Sequence, residues 1–99
     1  MEKQINLFLD FLENDKKLSY NTLQSYKRDI LQYQEYIEQN NLNYLKMSND
    51  DINEYFNHLK DLNKKTSTIS RNLATIRAFY QFLLRTKKMQ KEKLKIKWN

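Results

Sequence analysis

The sequence predicts an all-α protein, a compact bundle of four helices, and three observations lead there. Apolar residues recur at three- and four-residue steps in four separate stretches. No stretch sustains the alternation of a half-buried strand. Finally, 99 residues with 39% apolar and 30% charged side chains suit one folded domain better than a disordered chain.

The first helix carries Ile5, Phe8, Leu9 and Leu12 on one face and is expected to stop between Asn14 and Lys17. The second starts after Ser19, a good N-cap, and runs Leu23, Tyr26, Ile30, Tyr33 and Ile37 before Asn40-Asn41. Leu42 and Leu45 then tuck under the loop. The third opens on Ser48-Asn49-Asp50-Asp51, whose Ser-x-x-Asp spacing satisfies orphan N–H groups and favours the helix dipole. Its inner face is Ile52, Tyr55, Phe56 and Leu59.

The fourth helix begins near Thr66, with Ile69, Leu73, Ile76, Tyr80 and Leu83 as its apolar line and Phe79 widening it. KLKIKW, at 93 to 98, alternates briefly, but a lone short strand has nothing to pair with, so the tail is expected to be extended or frayed. Glycine and proline are both absent. Helix stops must therefore use residues such as asparagine that tolerate the left-handed region, as at Asn40-Asn41 and Asn63-Lys64. Glycine-dependent phosphate loops are excluded.

Most enzyme chemistry is excluded as well. Without cysteine there is no disulfide, thiolate metal site or Cys nucleophile, and His58 is the only histidine. Beside Leu59 it reads as a boundary residue. Asp50, Asp51 and Glu54 complement a helix start and form no acid/base pair. The chain alone is expected to be no enzyme and to need no cofactor or metal. It has neither an apolar run long enough for a membrane span nor a cleavable signal sequence, and a cytoplasmic setting is expected.

The net charge of +6 is unevenly spread. Residues 1–62 hold seven basic and eleven acidic side chains, a net of −4, whereas 63–99 hold eleven basic and only Glu92, a net of +10. That asymmetry calls for a polyanionic partner. On the fourth helix Ser67, Ser70, Arg71, Ala74, Thr75, Arg77, Ala78 and Gln81 lie mostly off the apolar line, with no acid from Asp61 to Glu92. Small residues let a backbone approach a groove wall, hydroxyls bond phosphate, and arginine binds phosphate or a guanine edge bidentately. The competing view is a solvated face whose hydroxyls merely cap the helix. Tyrosines 26, 33, 55 and 80 fall on apolar stripes, so packing is preferred to base stacking.

NTLQSYKRDILQYQEYI (21–37) and SRNLATIRAFYQFLL (70–84) resemble the two signature stretches of the N-terminal core-binding domain of tyrosine recombinases, notably phage-integrase and Xer-type enzymes. FLDFLENDKKLSYNTL fits as well, so the likeness covers about residues 4 to 88. It implies a SAM-like bundle of two crossed helical hairpins whose second and fourth helices face duplex DNA. Such a domain, residues 1–88, would clamp DNA with a separate catalytic domain, and 89–99 would be a basic linker toward it. Carried over, Thr22, Ser25, Tyr26 and Arg28 become candidate DNA contacts, with Lys65, Thr66, Ser67, Ser70, Arg71 and Arg77 around the fourth helix.

The Tyr26 ring would be buried and its hydroxyl exposed. Family catalytic residues belong to a domain this sequence does not contain, and QKEKLKIKWN replaces the Asn-Pro element often found after the fourth helix. The expected parent protein breaks and rejoins DNA and self-associates in a synapse. Alternatives are a stand-alone DNA-binding regulator, or a protein-interaction bundle whose tail uses Leu94, Ile96 and Trp98. Arg71→Ala and Arg77→Ala are expected to weaken duplex binding with little change in thermal stability.

Overall fold

A computed structural model describes residues 1–90 and 94–96. Its helices are α1 (Glu2–Asn14), α2 (Tyr20–Gln39), α3 (Asn49–Asp61) and α4 (Thr66–Arg85), with a 3-10 turn at Tyr44–Lys46 between α2 and α3. Among the described residues there is no strand, only a single parallel bridge between Ser48 and Lys95. The fold is thus the expected all-α, four-helix, SAM-like bundle.

Side-chain caps mark the starts of α2 and α3. The Ser19 side chain accepts from the Thr22 N–H at the start of α2. At α3 the Ser48 hydroxyl accepts from the Asp51 N–H while Asp51 accepts from the Ser48 N–H, a complete capping box. The stops share one device. After α2, Leu42 N–H donates to the Ile37 carbonyl and Asn41 to Glu38; after α3, Lys64 donates to Leu59 and Asn63 to Lys60. After α4, Lys88 donates to Leu83 and Lys87 to Leu84. These are Schellman motifs, each needing a left-handed residue at its hinge. Asn41 (φ 52°), Asn63 (φ 59°) and Lys87 (φ 59°) supply it, and Lys17 (φ 52°) does so in the loop after α1. The asparagines match expectation; the two lysines take the strained conformation without the asparagine advantage.

The core joins all four helices. Ile5, Phe8 and Leu12 from α1, Ile30, Tyr33 and Ile37 from α2, Ile52, Tyr55 and Leu59 from α3, and Ile76, Phe79, Tyr80 and Leu83 from α4 are all buried. Phe8 meets Phe79 edge-on at 5.4 Å, tying α1 to α4. Leu73 departs from the expected apolar line: it is 38% exposed. Asn72 and Thr75 are buried in its stead, because a polar network described below draws them inward.

The tail differs more. Lys95 bridges Ser48, Met89 and Ile96 are buried in the core cluster, and Leu94 packs against it. A partner for the tail therefore exists, at the entry to α3. Trp98 lies outside the described residues.

Candidate nucleic-acid interface

Asp29, in the middle of α2, is 1% exposed and carries the seam between α2 and α4. The Arg71 Nε donates to its Oδ2 at 2.9 Å, and Arg71 Nη2 donates to its Oδ1 at 2.8 Å. Asn72 Nδ2 donates to Oδ1 at 3.1 Å and the Thr75 hydroxyl to Oδ2 at 3.0 Å. Four donors thus fill the roughly four acceptor sites of the carboxylate. The Tyr55 hydroxyl donates to Asn72 Oδ1 at 3.3 Å, so the network reaches α3. Its hydrogen bonds to Asp29 raise the Arg71 guanidinium above the ordinary arginine value.

This network explains where the candidate residues stand. Ser25 is one turn before Asp29 and Arg28 is its neighbour, while Ser67 and Ser70 precede Arg71 by one turn and one residue. The ion pair therefore brings the two rows to one seam. Thr22, Arg28, Lys65, Thr66, Ser67, Ser70 and Arg77 are exposed. Ser25, Tyr26 and Arg71 are half-buried. Thr75 was expected beside them on the outer face; it is fully buried as a ligand of Asp29. Among the described residues Arg71–Asp29 is the only ion pair, so no described carboxylate pairs with the exposed Arg28, Lys65 or Arg77.

The sequence reading missed the far end of this face. A groove of about 400 Å³ opens between α1, α2 and α4, with Phe8, Phe11 and Phe82 among its lining and Lys16, Tyr26 and Arg85 beside them. The Arg85 guanidinium stacks on the Phe11 ring at 4.2 Å and Lys16 Nζ lies 5.8 Å from it, which orders both cations. Tyr26 also packs against the core. Helical spacing from Arg71 through Ala78 to Arg85 was the available signal.

Elsewhere little chemistry is assembled. His58 is half-buried against Tyr36 and Tyr55, at 5.1 and 6.3 Å, a boundary residue as expected. Among the described residues no group of three His, Cys, Asp or Glu is placed to hold a metal ion. No described helix is long and apolar enough to cross a membrane.

Residues 5–87 match the family described as phage integrase, N-terminal SAM-like domain. The chain is 42% identical to tyrosine recombinase XerD of Oceanobacillus iheyensis over 86% of its length and 29% of that protein. It is 38% identical to a candidate tyrosine recombinase of Caldanaerobacter subterraneus subsp. tengcongensis, over 92% of the chain and 31% of that protein. With tyrosine recombinase XerD of Staphylococcus epidermidis the identity is 34%, over 93% and 32%. The chain thus spans about a third of the length of these curated relatives. No solved structure matches it.

Proposed function

The chain belongs to the phage integrase N-terminal SAM-like family, and from that premise we propose that it binds duplex DNA through the α2–α4 face. The observation that carries this reading is the acid-free outer row of α4, where Ser67, Ser70 and Arg77 are exposed and Arg77 has no ion-pair partner among the described residues. Uncompensated cations interleaved with hydroxyls and small side chains suit a phosphate backbone. Thr22, Ser25, Tyr26 and Arg28 supply the α2 side, and Lys65, Thr66 and Arg71 complete the α4 side.

In this role the domain positions DNA while a catalytic domain, as in tyrosine recombinases, breaks and rejoins strands. Self-association would then occur in the assembled recombinase. The protein-interaction alternative loses ground at the tail, because Ile96 is buried in the domain itself.

The test is duplex binding by Arg77→Ala over a range of salt. Affinity is expected to fall, and the log–log salt slope to shrink by about one unit, with the melting temperature unchanged. Equal affinity and slope for wild type and variant at low salt would remove Arg77 and the α4 face from the interface.

A further inference from the structure

Arg71 differs from the other cations of this face because a buried carboxylate already holds part of it. A guanidinium presents five N–H donors in a rigid plane. Its side edge pairs Nε–H with one Nη2–H, and its end edge pairs one N–H from each Nη. Asp29 takes the side edge, at 2.9 Å from Nε and 2.8 Å from Nη2. The end edge is left over, and at 39% side-chain exposure Arg71 has a path to solvent. Neither partner has freedom to swing: Asp29 is also bound by Asn72 and Thr75, and the former is held by Tyr55.

Charge then separates Arg71 from its neighbours. A guanidinium paired with a carboxylate this closely has little net charge with which to displace counterions from phosphate. It keeps its directional donors. Such a group suits a pair of neutral acceptors in fixed geometry, and O6 and N7 of guanine in the major groove are that pair. Arg28, Lys65 and Arg77, with no ion pair among the described residues, suit phosphate instead.

We propose that Arg71 reads a guanine through its end edge, and that Asp29 is the positioning residue that presets it. This rests on the DNA-binding reading above and adds to it a division between one base-reading arginine and several phosphate-binding cations.

The experiment is selection of duplexes from a randomised pool at low salt by the 99-residue chain and its Arg71→Ala, Arg71→Lys, Asp29→Asn and Arg77→Ala variants. Folding is followed by circular dichroism. The wild-type pool is expected to fix a G·C pair at one position. Arg71→Ala and Asp29→Asn lose that preference, about tenfold or more in discrimination, with the salt slope changed by well under one unit. Arg71→Lys, which keeps the charge opposite Asp29 but has no fork, loses it too while remaining folded, and so serves if Asp29→Asn does not fold. Arg77→Ala keeps the G·C pair.

A wild-type pool without a fixed G·C, or the same pool from Arg71→Lys, overturns the proposal. A folded Asp29→Asn that still selects the G·C pair, or binds more tightly with a steeper slope, overturns the positioning role. Failure of the wild-type chain to retain any duplex would instead defeat the DNA-binding reading itself.

Discussion

The Tyr33 and Tyr80 hydroxyls meet at 2.7 Å inside the core, joining α2 to α4. Tyr80 also donates to the Tyr44 carbonyl at 2.6 Å, which spends its single proton. Tyr33 must therefore be the donor to Tyr80, and the bonds run in one direction from α2 through α4 to the 3-10 turn. Their removal is predicted to be unequal. Tyr33→Phe deletes one bond and leaves Tyr80 still donating, at about 1 kcal/mol. Tyr80→Phe strands both the Tyr33 hydroxyl and the Tyr44 carbonyl, and is expected to cost about 2–3 kcal/mol. Urea midpoints of the two variants measure the difference, and equal losses would contradict this direction.

Alkali should unfold the domain. Burial is the first cause that raises Tyr33, Tyr55 and Tyr80 far above the ordinary tyrosine value of 10.0. A group with a raised folded-state value favours the native state fully below its unfolded value and loses that stability as pH climbs above it. Stability is thus predicted to be unaffected by these groups below pH 10 and to fall above it. Phenolate absorbance should show them ionising together with loss of helical circular dichroism. Ionisation of all seven tyrosines with the helix signal intact would refute this.

Arg71→Ala and Arg77→Ala should differ in stability, contrary to the expectation from sequence that both leave it alone. Truncating Arg71 strips the 1% exposed Asp29 of two of its four donors. Discounted for the partial exposure of Arg71, the loss is about 1–3 kcal/mol. Arg77 is exposed and its removal is expected to shift stability by less than about 0.5 kcal/mol. Parallel thermal melts decide between these values.

The tail should matter to the fold. Ile96 is only 5% exposed and packs in the core cluster. Ile96→Ala is predicted to cost about 2 kcal/mol, the low end for a large-to-small core change. An unchanged urea midpoint would mean that the tail contributes nothing to the domain.

Periodicity made the four helices legible, because each buries one stripe, and the capping side chains Ser19 and Ser48 marked the starts of α2 and α3. It placed Ile5, Phe8, Ile30 and Tyr33 inside, where they lie. It could not distinguish Leu73, at the edge of its stripe, from Thr75, just off it. The face of a helix is set by spacing, but burial of a polar group depends on a partner, and Asp29 lies 46 residues from Thr75. The same limit hid the tail: Lys95 alternates with its neighbours, yet nothing local indicates that Ser48 is its partner. Among the candidate contacts, Arg28, Lys65 and Arg77 lie off the apolar stripes and are exposed. Arg71 reads identically to Arg77 in the sequence, and only its distant carboxylate sets it apart.

The helix ends have a mechanical consequence. A glycine joint would let successive helices swivel, since it moves between left- and right-handed conformations at little cost. Asn41, Asn63 and Lys87 instead carry side chains, and each is locked by two backbone bonds across the turn. The bundle has stiff joints, so the spacing between its second and fourth helices is fixed before any ligand arrives. Free and bound forms of this chain should superpose closely, and affinity need not be spent on rearranging the protein.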